Sequence, residues 1–321
     1  MKVSLVATVK NEGDNLRPLL DSLIYQTRLP DEVVICDGGS TDSTVEVLET
    51  YRQWLPLKII VAPDTNISQG RNRAIAAASG PIVAVTDAGV VLAPYWLEAL
   101  VQPIIDGESR IVSGWFEPDP YTDFEVVMGA TVLPALRDVK SQEFLPSSRS
   151  LAFCKDAWAV VGGYPEWLDY GEDLVFDLAL REEYGAFAFA ANAIAYFRPR
   201  GSLRAFFRQY YLYARGDGKA SLWPKRHFVR YFTYLVGLPF ILRLIWHEKW
   251  HGWLLLFLGL GSYSRRPAQR LWNSTWGWNP LARLRAFGLI PVIRFTGDVA
   301  KMLGYPVGVL WRWRHLRSGS S

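Results

Sequence analysis

The first hundred residues alternate between two patterns. Short apolar runs rich in β-branched side chains, at Val3–Val9, 32–36, Leu57–Val61 and 81–86, read as strands. Between them, apolar positions recur at helical spacing: Leu16, Leu19, Leu20, Leu23 and Ile24 first, then segments over 44–51, 70–78 and 95–105. Ser40, Asp42 and Thr44 offer N-cap oxygens for the second of these helices. Strands alternating with helices predict a mostly parallel sheet covered on both faces, an α/β domain. In such a sheet ligands bind outside the carboxyl ends of the strands. Three of those ends are polar. The first strand runs into Thr8, Lys10, Asn11 and Glu12, the second into Asp37, Gly38 and Gly39, the fourth into Asp87 and Gly89. They are far apart in sequence and are expected on one rim.

The pattern changes near residue 200. Residues 231–242 form an apolar run of 12 without charge, containing Pro239 and bounded by Arg230 and Arg243; residues 250–264 form another of 15 without Lys, Arg, Asp or Glu. Both fall short of the ~20 residues of a membrane-spanning helix. Letting Arg243 extend its charge to the surface lengthens the first to 228–246. Charge divides at the same place. Residues 198–321 hold 21 Lys and Arg against Asp217, Glu248 and Asp298, a net of +18, whereas residues 1–197 net −14. Nine of the 14 tryptophans also lie in the basic part. Aromatic residues at the ends of apolar runs, with basic residues nearby, suit helices on the anionic cytoplasmic leaflet, as interfacial or re-entrant segments. A soluble helical subdomain is the competing reading. Nucleic acid is not an expected partner, because a run such as Leu254, Leu255, Leu256, Phe257 and Leu258 suits it poorly.

Composition and motifs narrow the chemistry. The chain has 321 residues, 50 % hydrophobic and 21 % charged, enough apolar material for a sizeable core. Cys36 and Cys154 alone make neither a disulfide framework nor a cysteine zinc site. The apolar stretch at the N-terminus is too short for a signal peptide, so the bulk of the chain is expected in the cytoplasm. No G-x-G-x-x-G and no P-loop motif occurs, which removes the phosphate-binding element of dinucleotide oxidoreductases and P-loop ATPases. No histidine lies in residues 1–197, which removes Ser-His-Asp and Cys-His nucleophile arrangements from that half.

Five segments together carry a resemblance: residues 3–12, residues 33–44 with Asp37, Gly38 and Gly39, residues 70–75 with Arg71 and Asn72, residues 85–89 with Asp87, and Gly171, Glu172 and Asp173. Their order resembles that of family 2 glycosyltransferases, and most of all the subgroup of bacterial exopolysaccharide enzymes similar to succinoglycan-type glucosyltransferases. The resemblance covers about residues 1–220. It implies a nucleotide-diphospho-sugar transferase fold (GT-A-type, Rossmann-like) over residues 1–200, followed by a basic, Trp-rich, mainly helical membrane-associating region over 201–321.

The resemblance also implies roles, each with a plainer structural alternative. Asp37 contacts the base or ribose of the donor, or only shapes a turn with its glycines. Thr8, Lys10, Asn11, Glu12 and Gly38 line the same donor site. Arg71 and Asn72 meet the donor diphosphate at a helix start, or are merely solvated there. Asp87 holds the first position of the D-x-D metal motif and binds donor or a divalent cation, Mg²⁺ or Mn²⁺, or it caps the following helix. Gly89 stands where many relatives have the second carboxylate. Asp173 is the catalytic base with Glu172 in support, or both only charge-cap a helix. Turns at Gly162 and Gly163 are structural, and Ser147, Ser148, Arg149 and Ser150 lead into a strand beneath the donor sugar. Gln209 is followed three residues later by Leu212, so the Q-x-x-R-W motif of processive relatives is absent. The expected reaction is therefore inverting transfer of one sugar from a nucleotide sugar, a UDP-sugar, to a hydroxyl of a lipid-linked or other glycan acceptor at the cytoplasmic face of the membrane. The competing class is a membrane-bound scaffold that keeps the fold without catalysis.

Overall fold

The computed structural model describes residues 1–247 and 249–318. They form two compact units, one of Met1–Asp119 with Leu136–Arg198, the other of Pro120–Ala135 with Pro199–Ser321.

The first unit is built on one sheet of β1 (Val3–Val9), β2 (Glu32–Asp37), β3 (Leu57–Val61), β4 (Ile82–Val85), β5 (Val90–Leu92), β6 (Ile111–Pro118), β7 (Leu151–Cys154) and β8 (Ala188–Phe197), in the order β3-β2-β1-β4-β7-β6-β8-β5. Its helices are α1 (Arg17–Ile24), α2 (Thr44–Thr50), α3 (Ile67–Ala77) and α4 (Trp96–Ile105). After α5 (Asp123–Val132), which belongs to the other unit, come α6 (Lys155–Val160) and α7 (Glu172–Tyr184). The expected parallel arrangement holds for the half formed by β3, β2, β1 and β4. The other half makes the sheet mixed, which corrects the mostly parallel expectation: β7 runs antiparallel to both β4 and β6, and β5 antiparallel to β8, while β6 and β8 are parallel. The direction of β7 follows from where the chain enters the sheet. The chain enters it from the carboxyl end of β4, where the Thr86 hydroxyl donates to the Arg149 carbonyl at 3.0 Å, so β7 can only run back along β4.

Alternation along the central strands fills both faces. On β1, Leu5 and Ala7 pack with Leu19 and Leu23 of α1 and Leu97 and Leu100 of α4, while Val6 packs with Ala74 and Ile75 of α3 and Phe176 and Leu180 of α7. Leu5 is fully buried, so truncating it to Ala would cost about 2–5 kcal/mol. This rigid sheet is what holds the polar rim in place.

The second unit is helical: α5 with α8 (Leu203–Lys219), α9 (Pro224–Phe232), α10 (Leu238–Trp246), α11 (Trp250–Ser274) and α12 (Pro280–Ser318). Val127 and Met128 of α5 share a core with Phe206 of α8, Leu271 of α11 and Ile290 and Ile293 of α12. Helices α8 and α12 meet backbone to backbone. A Cβ at Gly304 would lie 2.2 Å from the Tyr211 carbonyl oxygen and one at Gly308 2.0 Å from that of Arg215, so only glycine fits there. Between α9 and α10, Thr233–Gly237 winds as a π-helical turn. Such widening absorbs Pro239, which has no N–H and would crowd the preceding turn. The resulting stretch, Pro224–Trp246, is long and apolar enough to cross a membrane, and its apolar window is not buried. Asp298 of α12 ties it down from within the unit, accepting from Arg230 Nε at 2.7 Å and the Tyr234 hydroxyl at 2.9 Å.

Candidate active site

Parallel pairing brings the carboxyl ends of β1, β2 and β4 together. Val9 stands opposite Asp37, and the Thr86 N–H donates to the Val6 carbonyl at 3.1 Å. The loop after β1 is locked to the loop after β2. Asn11, at φ 55°, donates its N–H to Ser40 Oγ at 2.8 Å and accepts the Thr41 N–H on Oδ1 at 2.8 Å. The N–H groups of Glu12 and Gly13 both reach Thr44 Oγ1 at 2.9 Å. Lys10 is exposed at the mouth of this double loop. A Cβ on Gly38 would lie 3.5 Å from Lys10 Cδ and 3.4 Å from the Thr65 carbonyl oxygen. Asp37 is turned inward and fully buried. It accepts the N–H groups of Gly39 and Ser40 at 3.0 and 2.9 Å and the Ser40 hydroxyl, so in this arrangement it shapes the rim.

Helix α3 begins with a capping box in which Asn66 and Gln69 satisfy each other's backbone N–H groups. It lies close against β1: a Cβ on Gly70 would stand only 2.9 Å from Thr8 Cγ2, so the glycine is what permits the approach. That approach carries the next residue, Arg71, under the rim. Arg71 is 2 % exposed, with one guanidinium nitrogen 2.7 Å from Asp87 Oδ1 and another 2.7 Å from Glu172 Oε1. Burial disfavours its charge, and Asp87 and Glu172 outweigh that, holding it protonated well above the ordinary arginine range. The sequence pattern set Arg71 and Asn72 against a donor diphosphate. In this structure both side chains are engaged by protein groups. Arg71 joins the carboxyl end of β4 to the start of α7, and the Asn72 amide is filled by protein contacts. Asn72 Oδ1 accepts from the Tyr164 N–H and Trp158 Nε1, and its Nδ2 donates to the Tyr164 carbonyl and Glu166 Oε1, at 2.8–3.0 Å. It therefore holds the turn at Gly162 and Gly163, both at positive φ, that leads toward α7.

Gly171, at φ 79°, starts α7 with Glu172 and Asp173 in its first turn. The two differ in placement. Glu172 faces inward to Arg71 with 8 % of its side chain exposed, and burial, with the Asp173 charge added and Arg71 opposing, pushes it up to about 7. Asp173 is half-buried, with Oδ1 accepting the Leu174 N–H at 2.8 Å. One turn further, Asp177 is fully buried with no hydrogen-bond partner for either carboxyl oxygen. Burial and then the Asp173 charge push it well above the usual carboxylate range, so it is a neutral acid in the fold.

Sequence reasoning gave Arg149 no role beyond its place in the segment before a strand, and did not single out Tyr164 or Asp177. Tyr164 is buried, stacks on Phe176 at 4.1 Å, lies 5.2 Å from the Arg71 guanidinium and shares a 3.0 Å hydrogen bond with Ser148. Arg149 approaches the second oxygen of Asp87 at 3.7 Å. For Arg149 the available signal was its place in a serine-rich turn before a strand; for Asp177 it was the i,i+4 spacing from Asp173.

Among the described residues no group of three His, Cys, Asp or Glu side chains could hold a metal ion. Asp87 brings one carboxylate, faced by two guanidinium groups. That donor set suits a hard cation only when phosphate oxygens and water supply the other ligands.

Residues 4–149 match the model of Glycosyl transferase family 2. It is 32 % identical over 108 residues to the uncharacterized glycosyltransferase YibD of Escherichia coli, covering 33 % of this chain and 31 % of that protein. It is 32 % identical over 103 residues to validoxylamine A glucosyltransferase of Streptomyces hygroscopicus subsp. limoneus, covering 31 % and 23 %. The matched region thus spans less than a third of these relatives' length. Among solved structures, the mannosyltransferase PcManGT of Pyrobaculum calidifontis, in complex with GDP-Man and Mn²⁺, superposes with a TM-score of 0.57 at 19 % identity, covering 97 % of this chain and 87 % of that one. S. aureus TarS 1-349 with UDP gives 0.52 at 20 %, covering 98 % and 92 %. The fold is GT-A-like, an α/β unit with a mixed sheet accompanied by a helical region.

Proposed function

We propose that this protein is an inverting glycosyltransferase that moves one sugar from a nucleotide-sugar donor, a UDP-sugar, to an acceptor hydroxyl. The observation that carries the reading is the Arg71 bridge, which fixes Asp87 on the strand rim and the start of α7, with Asp173, around one point. Complexes of structural neighbours with UDP, UDP-GlcNAc and GDP-Man support a nucleotide sugar as donor. In the proposed reaction Asp173 takes the proton of the acceptor hydroxyl as its oxygen attacks the anomeric carbon from the side opposite the diphosphate. Asp173 lies in the first turn of α7, the end of a helix that favours negative charge. Asp87, with donor phosphates and water, would hold Mg²⁺ or Mn²⁺, which would supply positive charge to the departing diphosphate. Lys10, Asn11, Glu12 and Gly38 frame the donor mouth; Asp37 fixes its floor.

The acceptor is proposed to be lipid-linked, in cell-surface polysaccharide synthesis of the exopolysaccharide type. Support comes from residues 198–321, where Phe228, Phe232, Phe240, Trp246, Trp250 and Phe257 are exposed in a stretch of net charge +18. That surface suits an anionic membrane, at the cytoplasmic face of the cell membrane. Gly89 favours the second reading, a membrane-bound scaffold without catalysis. One experiment separates them: purified protein with washed bacterial membranes is offered a panel of UDP-sugars and GDP-Man, and released nucleoside diphosphate and transferred sugar are measured. Donor binding without turnover for every donor would leave the scaffold.

A further inference from the structure

The turn before β7 is more firmly built than a connection requires. The Ser150 N–H donates to the Ser147 carbonyl at 3.2 Å, closing the turn. Buried Ser148 is bonded to the Tyr164 hydroxyl at 3.0 Å. Buried Ser150 donates to the Ala193 carbonyl at 2.8 Å and accepts from Trp96 Nε1 at 2.8 Å. The Arg149 carbonyl accepts the Thr86 hydroxyl at 3.0 Å. The residue between these anchors, Arg149, keeps its side chain at the surface of the site, 23 % exposed. Its guanidinium lies 4.5 Å from the Phe197 ring centroid and 6.0 Å from that of Phe116, with Nη1 donating to Ser147 Oγ at 3.2 Å.

The two arginines beside Asp87 are unlike. Arg71 makes two close ion pairs and is almost wholly covered. Arg149 stops 3.7 Å short of Asp87 Oδ2, although the other oxygen of that carboxylate is bonded at 2.7 Å. An arginine placed to stabilise the fold through Asp87 would close to hydrogen-bonding distance, as Arg71 does. An aromatic shelf beneath the guanidinium plane and a fixed backbone instead pre-orient a planar fork of donors toward the open side. The Asp87 carboxylate beside it repels an anionic ligand unless a cation meets it.

We propose that Arg149 binds the diphosphate of the nucleotide donor and neutralises it as it leaves. This rests on the transferase reading above. In the transfer step the acceptor oxygen forms the new bond to the anomeric carbon. The bond from that carbon to the diphosphate oxygen breaks with its electron pair on the diphosphate, and the hydroxyl proton goes to Asp173. Arg149 receives the charge that appears on the diphosphate.

The test is calorimetric titration of the full chain with UDP and GDP, each with and without Mg²⁺ or Mn²⁺, and with the parent nucleosides by saturation-transfer NMR. Arg149→Gln should weaken the preferred nucleoside diphosphate about 10- to 100-fold, the range for hydrogen bonds to charged groups, and leave the nucleoside unchanged. Arg149→Lys, which keeps the charge without the fork, should fall between. Unchanged diphosphate affinity in Arg149→Gln would overturn the assignment and leave the transferase reading standing. Equal loss for nucleoside and diphosphate, or loss of folded structure by circular dichroism in both variants, would make Arg149 a structural residue and also overturn it. Failure of the unaltered protein to bind any nucleoside diphosphate would remove the transferase reading, and this assignment with it.

Discussion

Replacing Arg71 by methionine keeps the length of the side chain and removes the charge that Asp87 and Glu172 share. Asp87 is 29 % exposed in its side chain and can recover part of its hydration; Glu172, at 8 %, cannot. Removing one partner of a buried pair typically costs about 3–5 kcal/mol, because the other charge stays behind without a partner. Glu172 has a way to lessen that cost. It is already pushed up to about 7, and without Arg71 it rises further, so below that pH it simply holds a proton. The cost of Arg71→Met is therefore smallest near pH 6. It grows by at most about 1.4 kcal/mol for each pH unit above 7 over which Glu172 stays ionised in the parent and protonated in the variant. For a unit of this size, about 3–5 kcal/mol at pH 8 corresponds to a melting point lower by about 6–20 °C. Thermal and urea unfolding of Arg71→Met, Glu172→Gln and the double variant at pH 6 and pH 8 measure it, with the double variant expected to regain part of the loss. A cost below about 1 kcal/mol at both pH values, or one that shrinks as pH rises, would refute the bridge as the element that joins the two carboxylates.

Four further outcomes are expected. Asp173→Asn should lower turnover about 10²- to 10⁴-fold with donor affinity nearly unchanged, and activity within a few-fold of the parent would remove Asp173 as the base. Asp177 and Glu172 hold protons in the fold that the unfolded chain releases in the ordinary carboxylate range, so stability should fall as pH rises from about 4.5 to 7. Asp177→Asn should flatten that decline and raise the melting point at pH 8. Gly89 is exposed, and a Cβ there meets nothing within 4 Å, so Gly89→Asp should fold normally and bind Mn²⁺ about tenfold more tightly without nucleotide, while Asp87→Ala should lose even the nucleotide-dependent binding. Phe240→Glu with Phe257→Glu changes two exposed side chains and should abolish flotation with anionic liposomes in 150 mM salt, a condition that screens charge and leaves apolar insertion; flotation equal to the parent would assign the binding to charge elsewhere.

The half of the sheet formed by β1 to β4 was legible in the residue pattern because each strand there is a short, mostly apolar run rich in β-branched residues and each intervening helix shows its period. The other half was not. Strands β5 and β7 have three and four residues, too few to display alternation, and β8 is Ala-rich with side chains that only partly bury. The direction of β7 depends on where the preceding segment enters the sheet, a long-range fact with no local sign. The departure of α5 to the helical unit has the same origin, since Val127 and Met128 are apolar in either setting and only the presence of Phe206, Leu271 and Ile290 says which core they join.

In the site, the strand ends carrying Asp37 and Asp87 were legible in the residue pattern, and the Glu172–Asp173 pair, which the structure puts at the start of α7, came from the resemblance. Burial and partnership could not be found that way. Arg71 reads as a surface cation at a helix start until Gly70 draws α3 against Thr8 and carries it beneath the rim. Glu172 and Asp173 are adjacent carboxylates in one helix turn, and only the position of Arg71 makes one an inward ion-pair partner and leaves the other half-exposed. Local pattern is set by side-chain type and period, which the chain carries along its length. The protonation, exposure and direction of a charged group are set by what lies within a few ångströms, and those neighbours come from residues 16 to 101 positions away.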